Sequence, residues 1–217
     1  MRRMPFVLLL AVASPRPVEA RPVLLDRVVA VIETGDAGAR VSDVVTASEV
    51  EVAARLALVE RRSAGGGSVT EGLRRAVLEQ LVAEVLVFRE AERLALAETS
   101  PEDVRRGRAA LAERVGGEDA LARFAEDVDL APSEIDLLVS RRAVVERFVQ
   151  TNLRAGIEVS NEEIEREYAA GEHPFVGRPL ADVRDALRAW MLETRFRAAL
   201  DRWVRALRGR GRVRVIE

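Results

Sequence analysis

Leu25-Asp26-Arg27-Val28-Val29-Ala30-Val31-Ile32, followed after a Gly- and Asp-containing insert by Val44-Val45-Thr46-Ala47-Ser48-Glu49-Val50, decides how this chain is read. The first stretch is a β-branched run, and the second is a shorter one that passes straight into a helix signal. Side chains with two heavy atoms on Cβ suit a pleated strand, and the insert between the runs supplies the turn. At the far end Arg212-Val213-Arg214-Val215-Ile216 alternates polar and apolar residues, which predicts a half-exposed strand. Its only plausible sheet partner is the opening hairpin. A small sheet then joins the two ends of the chain, and everything between them is one folded unit.

That intervening chain is punctuated by helix signals. Thr46-Ala47-Ser48-Glu49 is a capping box that predicts a first helix to about Arg62, broken by the glycines of Ser63 to Ser68. A second helix is predicted from about Thr70 to Leu94; its apolar arc, including Leu73, Val77, Leu81, Val85 and Phe88, is wider than a surface helix needs. Ser100-Pro101 opens a third helix that stops at Gly116-Gly117, and a short fourth covers about Glu118 to Glu126. Pro132-Ser133-Glu134 opens a fifth that should reach Arg154, with Gly156 as its cap.

The fifth helix carries two apolar stripes. Ile135, Leu138, Val139, Val145, Val149 and Leu153 share one arc, and Leu137, Val144 and Phe148 gather on the opposite side. Such a helix is either sandwiched between neighbours or leaves one stripe for a partner. Ser160-Asn161-Glu162-Glu163 caps a short sixth helix through Tyr168, and Gly171 to Pro179 is a loop by composition. A last helix should span Leu180 to Arg208. Leu180, Val183, Leu187, Trp190 and Met191 share a face in its first half; Phe196, Leu200, Trp203, Val204 and Leu207 share a different face in its second. One straight helix is therefore expected to pack on two bodies.

Residues 1–20 read as an export signal: Arg2 and Arg3, an apolar core from Phe6 to Ala13, and Val18-Glu19-Ala20 before a cleavage point after Ala20. Pro15, Arg16 and Pro17 interrupt this stretch well short of the roughly 20 apolar residues of a membrane span. No stable membrane insertion is expected, and the periplasm is the expected compartment. The 217 residues include no cysteine, so an exported form must be held by packing rather than disulfides. The net charge is −2; residues 21–217, without three of the arginines and one glutamate, carry −4. All basic residues are arginine, mixed with acids throughout, which gives no electrostatic footprint for nucleic acid. Arg208-Gly209-Arg210-Gly211-Arg212 is read as a helix end and strand start rather than a nucleic-acid segment.

Catalytic and metal chemistry lack their usual residues. His173 is the single histidine, placed in a loop beside Pro174, and with no cysteine only oxygen ligands remain for a metal. Glu162, Glu163, Glu165 and Glu167 sit at a helix start, where negative charge favours the helix dipole. Gly65-Gly66-Gly67 lacks the Lys and Ser/Thr of a phosphate loop. No catalytic, metal or cofactor residue is assigned, and no enzyme activity is expected.

Asp26 to Ile32 with Val44 to Val50 resembles the opening of the SurA-type periplasmic chaperones. The likeness continues through Leu78-Glu79-Gln80-Leu81-Val82-Ala83-Glu84, Ser100-Pro101-Glu102-Asp103-Val104 and Val159-Ser160-Asn161-Glu162-Glu163-Ile164. Pro179-Leu180-Ala181-Asp182-Val183-Arg184 onward to Trp203, with Val213 to Ile216, resembles the segment that returns to the same domain after the family's parvulin prolyl-isomerase domains. Here Tyr168 and Pro179 are about ten residues apart, where a domain needs roughly fifty or more. The resemblance implies a mainly α, multi-helix SurA N-terminal-like domain over residues 21–217, with its parts 21–170 and 179–217 joined by a short loop in place of a parvulin domain. It further implies a non-enzymatic holdase for unfolded exported polypeptides, with outer-membrane proteins in transit as clients. Leu137, Val144, Phe148, Trp190, Met191, Phe196 and Trp203 are the candidate peptide-binding residues. A non-catalytic scaffold for an envelope protein, or for a separate prolyl isomerase, is the alternative.

Overall fold

The computed structural model describes residues 26–35, 40–61 and 67–216. The expected export signal and most of the glycine-rich break after the first helix lie outside the described residues. The elements run β1 (Val28–Thr34), β2 (Val41–Thr46), α1 (Ala47–Arg61), α2 (Glu71–Arg93), α3 (Pro101–Val115), α4 (Glu118–Asp127), α5 (Pro132–Asn152), α6 (Asn161–Ala170), α7 (Leu180–Arg210) and β3 (Arg212–Val215). The described chain is thus mainly helical, with a three-stranded sheet made from the opening hairpin and the closing strand.

β1 is the central strand, antiparallel to both neighbours in the order β2-β1-β3. Its pairing with β2 slips between Val28, opposite Thr46, and Ala30, opposite Val45. The extra residue is Val29. A bulge of this kind interrupts the alternation of side chains, so the successive residues Val29 and Ala30 are both buried. On the other side Ala30, Val31, Ile32 and Glu33 face Val215, Arg214, Val213 and Arg212. The expected joining of the chain's ends is therefore present, with residues about 180 apart in sequence lying side by side.

The junction of α7 and β3 depends on Gly211. Its φ of −104° is open to any residue, but a Cβ there would stand 2.8 Å from the Glu33 carbonyl oxygen. Close approach rather than backbone conformation requires glycine. Gly107 has a similar task in α3, where an added Cβ would lie 3.1 Å from the Val139 Cβ of α5.

The capping boxes form as the spacing predicts. The Glu49 amide donates to Thr46 Oγ1 at 3.3 Å and the Thr46 amide to Glu49 Oε2 at 2.9 Å. Equivalent reciprocal pairs join Ser100 with Asp103 and Ser160 with Glu163. Each satisfies two backbone donors that a helix start would otherwise leave open. The end of α5 departs from expectation. The helix stops at Asn152, whose side-chain amide donates to the Phe148 carbonyl at 2.8 Å, and a 3₁₀ turn over Arg154–Gly156 follows. Gly156 is not its cap. Leaving the helix lets the Arg154 guanidinium lie 4.9 Å from the centre of the Phe196 ring and 3.4 Å from Glu193 on α7.

Among the described residues three apolar cores result. The central one unites the sheet, α1, α2, the C-terminal half of α5 and the C-terminal half of α7, with Ile32, Val82, Leu86 and Val144 fully enclosed. Complete burial of such a side chain contributes roughly 1.5–3 kcal/mol each. A second core holds α3, α4 and the first half of α5 around Leu111, Leu121 and Ile135, with Leu56 of α1. A third joins α6 to the first half of α7 around Val159, Ile164, Leu187 and Met191. The long helix does pack on two bodies, on the faces its apolar pattern marks.

Candidate functional site

A groove of about 560 Å³ opens between α1, α2 and α5, with Ala97 and Thr99 of the segment that links α2 to α3 also in its lining. α1 contributes Val52, α2 contributes Leu81 and Phe88, and α5 contributes Leu137, Leu138 and Val144, with Leu130 from the turn before it. These positions follow from the local sequence. The apolar arc of α2 is too wide for one neighbour, so Val82 and Leu86 turn into the central core while Leu81 and Phe88 flank it, half-buried. α5 crosses them with Val144 as the floor, 1 % exposed, and Leu137 at the rim, 71 % exposed.

Polar groups interrupt the apolar lining. Arg141 Nε stands 3.0 Å from Glu84 Oε1, and an Arg141 terminal nitrogen is 3.9 Å from Glu49 Oε1. The Glu84 side chain is only 10 % exposed, so its charge needs the guanidinium beside it. The buried Arg141 Nε makes no hydrogen bond of proper geometry, which leaves this an ion contact. The Thr99 and Ser140 hydroxyls are 2.9 Å apart on the groove wall. Arg142, Glu49 and Glu134 complete the charged border, so both signs are present.

At the mouth of α1, Asp26 is tied to the helix start. The Ser48 hydroxyl donates to its carboxylate and the Ser48 amide donates to Oδ1 at 3.3 Å. The Ser48 hydroxyl, then the Thr46 hydroxyl, lowers the Asp26 carboxyl to about 2. Since Ser48 also lines the groove, Asp26 is held beside it.

The seven candidate residues divide between three places. Leu137 and Val144 line the groove. Phe148 is 3 % exposed in the central core and stacks on Trp203 with ring centres 5.5 Å apart. Met191, 5 % exposed, is in the third core with the half-buried Trp190 against it, and Phe196 packs on the central core beneath Arg154. Val144, Phe148 and Met191 thus present little surface to a partner, because each fills the junction of two helices. The three-residue stripe of α5 is divided accordingly: its last two residues meet α2 and α7, and its first, Leu137, lies beyond their reach.

Phe88, Leu81, Val52 and Leu130 were not among the candidates, though the surplus width of the α2 arc was a signal for the first two. His173 is in the expected loop but is buried, at 8 % exposure. It stacks between Tyr168 and Phe175, accepts the Phe175 amide at Nδ1 over 3.1 Å, and has Nε2 3.4 Å from the Tyr168 carbonyl oxygen. The pairing fits the tautomer with the proton on Nε2. His173 organises the loop between α6 and α7, helped by Tyr168, whose hydroxyl donates to the Arg178 carbonyl at 2.5 Å.

Among the described residues no helix is long and apolar enough to cross a membrane, and no three His, Cys, Asp or Glu side chains converge as metal ligands. No protein-family model matches the chain, and no curated protein matches it.

Proposed function

We infer that this protein is a SurA-like, non-enzymatic periplasmic chaperone that holds unfolded exported polypeptides, with outer-membrane proteins in transit as its clients. The observation that supports this reading best is the open, mostly apolar groove between α1, α2 and α5, with Leu137 exposed at its rim. Its lining offers aliphatic contacts and one aromatic, Phe88, without a deep pocket that would select a single side chain. Extended segments with apolar residues at intervals suit such a surface, and the mixed charges at its border add contacts that salt weakens. Binding is modest, as release of a client requires. The short loop between α6 and α7 stands where the family's isomerase domains would be inserted, in keeping with a holdase that has no catalytic step.

Aggregation of several unrelated unfolded outer-membrane proteins provides the test. The purified protein should suppress it, and Leu137→Asp should weaken suppression several-fold while the protein stays folded. Protection of none of them, alongside tight capture of one native protein, would favour a scaffold instead. Acceleration of proline isomerisation in a peptide above the uncatalysed rate would overturn the non-enzymatic assignment.

A further inference from the structure

Among the described residues β3 is the last strand on its side of the sheet, and its two backbone edges differ. The Ile216 amide donates to the Val29 carbonyl at 2.8 Å, and the register sets Arg214 opposite Val31 and Arg212 opposite Glu33. In an antiparallel ladder, hydrogen-bonded pairs recur at every second residue. The amides and carbonyls of Arg212, Arg214 and Ile216 therefore point to β1, and those of Val213 and Val215 point outward. No backbone hydrogen bond to that outer edge is present among the described residues.

The side chains along this edge carry one sign of charge. Arg212 and Arg214 are exposed on the face of the sheet away from the central core, and neither has an ion-pair partner among the described residues. Arg208 and Arg210, just before them, are paired with Glu79 and Glu90 of α2. On the other face Val213 packs on the core and Val215 is 52 % exposed. An open edge, two unpaired arginines on one side and valines on the other are a template for one kind of strand.

We propose that the outer edge of β3 takes up an extended client segment as a fourth strand, selecting acidic side chains at alternate positions and apolar ones between them. The acids lie beside Arg212 and Arg214, the apolar residues lie beside Val213 and Val215, and the Val213 and Val215 backbone groups supply the main-chain pairing. A second copy of the same strand is a poor occupant. Antiparallel registers centred on Val213 or Arg214 set arginine directly opposite arginine, so the pair that attracts an acidic strand also stops the edge from pairing with itself. The idea deepens, and rests on, the client-binding reading: the strands of outer-membrane barrels alternate polar and apolar residues, and acid-bearing ones fit this edge best.

The test uses the full chain with two synthetic ten-residue peptides, one alternating Glu with Val and one alternating Lys with Val. Amide exchange at Val213 and Val215 is read by NMR. The Glu peptide should slow both amides at least tenfold at saturation, and the Lys peptide should not. Arg212→Glu with Arg214→Glu, checked for an unchanged melting temperature, should reverse the preference. Val215→Pro removes an outward amide and no bond to β1, and should abolish protection. Equal protection by both peptides, or an acidic preference that survives the double substitution, overturns the proposal. Aggregation suppression without edge protection removes this strand site alone, whereas edge protection without aggregation suppression removes the holdase reading and leaves the strand site standing.

Discussion

In its second half α7 sets Phe196, Leu200, Trp203 and Leu207 against the sheet, α2 and α5, whereas in its first half Leu187 and Met191 pack with Val159, α6 and the loop that follows it. The contrast is one of connectivity. The central body is closed by partners far apart in the chain: β3 on β1, Arg210 Nη2 on Glu90 at 3.2 Å, and Arg208 on Glu79. The α6–α7 body is local, built from Val159 to Leu192, and is tied to the rest by Arg154 and by the helix itself. Distant closures make one cooperative unit, and a local pair can open alone.

Removal of the residues after Gly211 should break the first arrangement most severely. It strips four ladder pairs from β1 and uncovers Ile32 and Ala30, which are now fully buried. A loss of about 4 kcal/mol or more is expected, a fall in melting temperature of roughly 10 °C or more for a chain of this size. An unchanged melting temperature would show that the sheet does not clasp the fold. Leu187→Ala, at a fully enclosed site in the local body, should cost about 3 kcal/mol. There the effect should appear as faster amide exchange at Ile164 and Met191, with Val82 and Val85 of α2 unchanged. Equal acceleration in α2 would merge the two bodies into one unit.

Acid should loosen the local body by a different route. The Arg195 guanidinium, donating at 2.6 Å, and then the Ser160 amide hold the Glu163 carboxyl at about 2, against an ordinary value of 4.5. A carboxyl lowered in the folded state stabilises fully above its ordinary value and loses that contribution as pH falls toward its folded value. The α6–α7 body should therefore loosen between about pH 4.5 and 2. On the sheet side Asp26, lowered to about 2 from 3.8, responds later in the descent. Glu90, held below 4.5 by the Arg93 guanidinium and then by Arg210, gives that body an acid response that overlaps this window. Glu163→Gln should give a local body whose amide protection factors no longer change with pH over this window, while the sheet keeps its own acid response. The same pH dependence in the variant would assign the loosening to other carboxylates.

Why the cores were legible and the groove was not follows from how each is written in the chain. Capping is local: Thr46 with Glu49, and Ser160 with Glu163, lie three residues apart, so the helix starts emerge from spacing alone. The two faces of α7 are likewise periodic, and their partners were constrained by the pairing of Val28 to Ile32 with Val213 to Ile216. The fate of Phe148 is different. Its stripe-mate Leu137 has the same phase on α5, yet Phe148 meets Trp203 of α7 and Leu137 meets no covering helix. Periodicity shows that a face is apolar; only the neighbour's length shows how far along the helix that face is covered. His173 was hidden for a related reason, since a loop histidine beside a proline reveals nothing of the two rings that enclose it.

Leu137 supplies the smallest expected effect on stability and the sharpest control. It belongs to neither half of the comparison: it stands on α5 at the groove rim, 71 % exposed, outside all three cores. Replacing it by Asp removes apolar surface that water already reaches, so the melting temperature should move by an amount equivalent to no more than about 0.5 kcal/mol. Exchange at Val82 in the central body and at Ile164 in the local one should also stay as it is. Such silence makes the variant informative, because any loss of client protection then arises at the groove rather than from a loosened fold. A drop in melting temperature comparable to that of Leu187→Ala would instead mean that the rim is covered in solution, and that α5 is sandwiched along its whole length.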